Sequence, residues 1–134
     1  AWRLTNALGV SLDQLFAVQK TPETVVVAGP HDIPTLDGHE AKYQLRVWGR
    51  IELAGKFEWY ELTLQAGGAL VSNAHEPGTR EHLTVLQGSI EVEADGVVKR
   101  LKTADTARYV ADVAHAVRNV GKSEAKALLV VIHG

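Results

Sequence analysis

The fold of this chain is written most plainly between residues 75 and 88: His75-Glu76-Pro77-Gly78-Thr79-Arg80-Glu81-His82-Leu83-Thr84-Val85-Leu86-Gln87-Gly88. The turn pair Pro77-Gly78 leads into a β-prone run from His82 to Leu86, which Gly88 then stops. Alternate residues of a strand share a face, so Glu81, Leu83 and Val85 point one way and His82 the other. The partner stretch is Ala104-Asp105 followed by His115-Ala116-Val117-Arg118-Asn119, in which His115, Val117 and Asn119 share a face. If both faces line the inside of one barrel, Glu81 and His115 meet His75 there. Two imidazoles and a carboxylate with open positions suit a divalent cation such as Fe(II), Mn, Ni or Zn. Without a cation the same groups would line an organic-ligand pocket, satisfied by hydrogen bonds and water.

Outward from this stretch, almost everything after His39 has strand character. Tyr43 to Leu53, Phe57 to Gln65, Leu70 to Ala74, Ser89 to Ala94, Val97 to Leu101, Ala107 to Val110, Ala116 to Val120 and Ala127 to Ile132 are short β-prone runs. Glycine pairs and Pro-Gly, Asp-Gly and Gly-Lys dipeptides punctuate them. Asp95-Gly96 is the sharpest hairpin signal, because a type I′ turn needs positive φ at both positions. Short strands at steady spacing predict a sandwich or a barrel. Between Ala17 and Leu36, Pro22, Pro30 and Pro34 break the pattern, leaving a linker with one strand-like run at Thr24 to Ala28.

Composition narrows the function classes. With 46% apolar and 22% charged residues the chain is in the ordinary globular range, and its net charge of -2 gives no extended basic face for a phosphate backbone. The longest apolar run, Ala127 to Ile132, is far short of the ~20 residues of a membrane span. No charged-then-apolar leader is visible, and the absence of cysteine fits a reducing compartment, so a cytoplasmic location is expected. Zero cysteines also exclude thiolate zinc sites, which leaves histidine and carboxylate as the metal ligands. The chain has no methionine, and the expectation is a piece of a longer protein.

The other candidate groups read as surface or packing. His31, His39 and His133 lie in loop or terminal positions and are expected to be solvated. Phe57-Glu58-Trp59-Tyr60 reads as core and interface packing, with Glu52, Glu58 and Glu61 opposing a base-stacking role. Lys99-Arg100 and Lys102 read as a solvated strand edge that discourages aggregation.

The motifs resemble those of the cupin family, H-x-H, three or four residues, E, six residues, G, and then a G-D element followed by P, H and N. His75 matches the first histidine, Glu81 the glutamate, Gly88 the closing glycine, Asp105 the aspartate, His115 the second-motif histidine and Asn119 the asparagine. The resemblance covers Ser72 to Val120 and implies an all-β double-stranded β-helix, the jelly-roll barrel. It also implies a ligand pocket at His75, Glu81, His115, Val85 and Asn119, with His75, Glu81 and His115 as the metal set. Pro77 stands where metal-binding cupins carry a further histidine, and Ala104 replaces the glycine of the G-D turn.

Two short helices are expected before the barrel. Trp2, Leu4, Ala7 and Leu8 recur at helical spacing up to Gly9. Ser11 then caps a second helix, with Gln14 as capping-box partner and Val10 against Leu15 as a staple. Leu4 to Phe16 resembles the last two helices of the Xre/Cro-type helix-turn-helix domain. The implied organisation is residues 1–17 as the end of that domain, 18–36 as a linker with an edge strand, and 37–134 as the cupin. The expected function is effector sensing and dimerisation in a bacterial transcription regulator. A small molecule enters the barrel, DNA is read by the upstream domain, and two copies pair as a homodimer. The alternative is a small metal-dependent cupin enzyme of the dioxygenase, isomerase or epoxidase type.

Overall fold

Among residues 24–134, which the computed structural model describes, one 3-10 turn, Pro30–Asp32, precedes strands that follow one another from Thr35 to Ile132, interrupted by a second at Ile51–Leu53. They are β1 (Thr35–Gly38), β2 (Tyr43–Val47), β3 (Phe57–Leu64), β4 (Ala69–Ser72) and β5 (Arg80–Gln87). After these come β6 (Ile90–Ala94), β7 (Val97–Leu101), β8 (Thr106–Val110), β9 (His115–Arg118) and β10 (Ala125–Ile132). One sheet has the order β1-β2-β3-β10-β5-β8 and the other β4-β9-β6-β7, with every pairing antiparallel. This is the all-β double-stranded β-helix expected from the motifs. The two expected N-terminal helices lie outside the described residues.

The chain divides into two compact units, Ala1–Asp32 and Ile33–Gly134. In the described part of the first, Asp32 accepts a hydrogen bond from the Gly29 backbone N–H at 2.9 Å and closes the turn at Pro30–Asp32. Thr24 to Ala28 forms no strand, contrary to the expectation of an edge strand there. The edge strand is β1, which begins just after Pro34 and pairs Leu36 with Leu45. Pro22 and Pro30 flank the Val25-Val26-Val27 run in sequence, and among the described residues it pairs with no strand, so its β propensity alone does not make it one. A second correction falls on Tyr43 to Leu53. The strand ends at Val47, and Ile51–Leu53 turns as a 3-10 segment.

The hairpin signal holds in detail. Asp95 and Gly96 have φ of 51° and 77°, and they join Ala94 to Val97 in register. Ala104 also has positive φ, 78°, at the position where the cupin motif has glycine. Gly88 has φ of 76°, and a Cβ there would press on Ala125 and the Glu124 carbonyl at 3.2 Å.

Alternation fills one end of the barrel and leaves the other end polar. On β3 the inward residues run Glu58, Tyr60, Leu62, Leu64; on β5 they run Glu81, Leu83, Val85. Leu62, Leu64, Leu83 and Val85 are almost completely buried and pack with Ile90 and Val117 of the facing sheet. Burying a side chain of this size stabilises the fold by about 1.5–3 kcal/mol. The register then sets Glu58, Val131, Glu81 and Tyr109 in one row across β3, β10, β5 and β8. That row is the base of the functional end. Lys99, Arg100 and Lys102 are exposed at β7, an edge of the smaller sheet, as expected.

Candidate functional site

The sequence-predicted trio comes together. His75 Nε2 lies 3.2 Å from Glu81 Oε2, and His115 Nε2 lies 3.1 Å from the same oxygen. The three ligand atoms all fall within 4.8 Å of one another. Different elements place them. Glu81 is the first inward residue of β5, and His115 opens β9. His75 stands in the β4–β5 loop, held by its N–H donating to the Ala111 carbonyl at 2.9 Å. The two rings meet edge to face, with centroids 4.8 Å apart.

The hydrogen bonds around the trio bear on whether a cation fits. His115 Nδ1 is 2.7 Å from the Val113 carbonyl. A carbonyl only accepts, so Nδ1 carries hydrogen and donates. In the neutral ring the Nε2 lone pair then faces a carboxylate oxygen, and such a pair needs a proton or a cation between them. Tyr109 donates to the other oxygen, Glu81 Oε1, at 2.8 Å. Burial, and then the charge of Glu81, push the Tyr109 hydroxyl well above the usual phenol range, so it remains a donor. Ligand atoms held about 2.1 Å from a common cation lie about 3.0–3.4 Å apart, and outer partners of this kind orient ligating histidines and carboxylates. The two edges from Glu81 Oε2, 3.2 Å to His75 and 3.1 Å to His115, and the outer bonds match that arrangement. His75, Glu81 and His115 could therefore hold one divalent cation, which would supply a Lewis acid to a bound molecule. Pro77, exposed in the loop, contributes nothing to it.

Glu81 and His75 also border a cavity of about 180 Å³. Leu45, Leu70, Leu129 and Val131 give it an apolar belt, and Glu58, Tyr60, Ser72 and His133 add polar groups. Glu58 Oε1 accepts from the Tyr60 hydroxyl, and Glu58 Oε2 meets His133 Nε2. Burial first, then the Glu58 hydrogen bond and charge, raise the Tyr60 hydroxyl above its ordinary range, with a further contribution from Glu81. His133 is thus half-buried and paired, not solvated as expected. Alternation along β10 continues past its end, from Leu129 and Val131 to His133, and the His133 N–H donates to the Lys56 carbonyl. Glu58, read from sequence as packing beside aromatics, is an inward polar group on β3. The signal for both was the same period of two that placed Glu81.

Two predicted pocket residues take other places. Val85 is 1% exposed within the core, two inward positions beyond Glu81, and is not in the cavity wall. Asn119 is fixed by its own hydrogen bonds. Its amide donates to the Leu64 and Ser123 carbonyls at 3.0 and 2.8 Å, and its oxygen accepts from Gly121 N–H at 2.9 Å. It locks the loop after β9 to β3. His82 lies on the outward face as expected, beside Val130 and Arg108, and His31 and His39 are exposed. Among the described residues no helix is long and apolar enough to cross a membrane.

The HTH-type transcriptional regulator SutR of Escherichia coli (strain K12) is 33% identical over 66 residues, which cover 49% of this chain and 37% of that regulator. The chain thus matches little more than a third of that relative's length. Solved structures share the fold. The cupin domain of an XRE family transcriptional regulator from Enterobacter cloacae superposes with a TM-score of 0.65 at 24% identity, over 69% of this chain and 98% of that one. An HTH_3 family transcriptional regulator from Vibrio cholerae gives 0.69 at 19% identity, over 99% of this chain and 70% of that one. A family model of the cupin domain matches residues 60–131, from the inward Tyr60 through Glu81 and His115 to Val131, and with the jelly-roll topology already traced this chain belongs to the cupin family.

Proposed function

We propose that this chain is the effector-sensing and dimerising part of a bacterial DNA-binding transcription regulator. The observation that carries it is the half-open cavity beside Glu81, with its apolar belt and polar ends. It is a receptacle for a small molecule, and the similarity to SutR supports placing it in a regulator. DNA would be read by a helix-turn-helix domain upstream, to which Ala1 to Phe16 would contribute the last helices, and two copies would pair as a homodimer. Binding in the barrel biases how the two heads are held, which requires two states of different effector affinity. His75, Glu81 and His115 would hold one divalent cation, Fe, Mn, Ni or Zn, that helps retain the effector.

The test uses the regulator containing this domain, with the His75→Ala substitution at the exposed end of the trio. The expected result is a folded dimer whose effector response shifts about fivefold or more, the lower range of allosteric coupling. An unaltered response overturns the proposal. A metal-dependent enzyme is favoured by one specific observation, the trio itself, in which Glu81 and His115 are buried and His75 is exposed. Stoichiometric iron, manganese or nickel that His75→Ala removes, together with turnover of a bound small molecule, would establish that alternative.

A further inference from the structure

The cavity has two polar ends, and only one belongs to the cupin motifs. Glu58 and Glu81 stand in the same row of the larger sheet, with Val131 of β10 between them. Neighbouring strands are about 4.8 Å apart, so the two glutamate backbones are separated by about 10 Å. Residues in one row point to one face, and all three side chains line the same cavity. Its wall contains two glutamates and, among the described residues, neither lysine nor arginine. Unless a cation sits at the His75, Glu81 and His115 trio, an anionic group entering there meets two carboxylates and no lysine or arginine. A hydrogen-bond donor meets acceptors at both ends.

We propose that Glu58, supported by Tyr60 and His133, is a second recognition point in the barrel, selecting compact ligands with an amine or other hydrogen-bond donor on an apolar body. This rests on the effector reading above and names the chemistry of the effector. Tyr60 and His133 each occupy one oxygen of Glu58, and each oxygen keeps a further lone pair for a ligand. The two partners fix the carboxylate in place before any ligand arrives, which lowers the ordering cost of binding. The apolar body would lie on Val131 and Leu129, between Leu45 and Leu70. A volume of about 180 Å³ suits a body near the size of a benzene ring, which fills a cavity of about 150 Å³.

Methyl resonances of Leu45, Leu70, Leu129 and Val131 report binding directly. The whole chain is titrated with benzylamine, benzyl alcohol and benzoate in the presence of chelator, so that no cation contributes. The expected result is that benzylamine shifts these methyls and binds at least about tenfold more tightly than benzoate, the scale of one charge-assisted hydrogen bond. Glu58→Gln should remove that preference. Benzoate binding as tightly as benzylamine, or benzylamine binding equally to Glu58→Gln, overturns the inference while the barrel remains a ligand site. If none of the three probes moves a cavity methyl, the barrel takes no ligand of this size, and the effector reading fails with it. The wild-type comparison of amine with carboxylate stands even if the variant folds poorly.

Discussion

Two glutamates occupy one row of one sheet in this protein, and their surroundings differ. Glu81 is 4% exposed and anchors two imidazoles and a tyrosine hydroxyl. Glu58 is 26% exposed and holds one imidazole and one tyrosine hydroxyl. The contrast separates a buried polar network from a half-buried one within reach of solvent. In a low-dielectric interior each bond of a network is stronger, and each unpaired group is costlier. At the half-open end, water can replace a lost partner.

The largest expected difference lies in the carboxylates themselves. Glu81→Ala leaves the Tyr109 hydroxyl and the His115 ring facing a void without their partner, and each buried polar group left unsatisfied costs about 1–3 kcal/mol. Glu58→Ala should cost no more than about 1 kcal/mol, because Tyr60 and His133 can turn to solvent. Urea unfolding of both variants checks this. Equal losses would break the comparison, and would mean that both ends of the cavity are structural.

The tyrosines sharpen the same point on a smaller scale. Tyr109→Phe removes a donor from a buried carboxylate and should destabilise by about 1.5–3 kcal/mol, the range for hydrogen bonds to charged groups. Tyr60→Phe removes the same atom from a half-buried carboxylate and should cost about 0.5–1 kcal/mol. A cation held by the trio would also respond to Tyr109→Phe, by about 10–100-fold in affinity, since the hydroxyl orients a ligating carboxylate. Tyr60→Phe should leave that affinity unchanged. Calorimetric titration with zinc distinguishes the two.

The two ends also differ in how far the sequence exposes them. Glu81 and His115 sit in stretches where spacing, turn residues and alternation agree, so local pattern sets the face of each, and the resemblance to the cupin motifs is what sets those faces opposite one another. Glu58 and His133 are 75 residues apart. They meet only because β3 and β10 pair in a register that sets Phe57 opposite Ile132. Register of a long-range pair depends on which hydrophobic faces bury, and one residue of slip would turn every side chain over. Alternation alone turns Glu58 inward, but does not supply its partner. The edge strand differs from expectation for a related reason: Val25-Val26-Val27 has the stronger β propensity, whereas Thr35-Leu36-Asp37-Gly38 has the neighbour to pair with. Propensity describes a residue's fit to a sheet; only topology supplies the sheet.

Membership of the motif does not by itself make a buried polar group part of the network, and Thr79 separates the two. It lies two residues before Glu81 and is 1% exposed, yet its Oγ1 finds no hydrogen-bond partner among the described residues. Its backbone does the structural task, with N–H donating to Glu76 O at 3.1 Å and its carbonyl accepting from Ala111 N–H at 2.9 Å. A buried hydroxyl without a partner carries its desolvation cost uncompensated, and an apolar replacement of the same shape removes that cost. Thr79→Val should therefore be neutral or raise stability by up to about 1 kcal/mol, while zinc affinity stays at the wild-type value. A loss of more than about 1 kcal/mol in urea unfolding would mean that the hydroxyl is satisfied in solution, by an ordered water joining the β4–β5 loop to the site. In that case the network around Glu81 extends one strand turn further than its direct bonds reach, and the contrast with Glu58 widens.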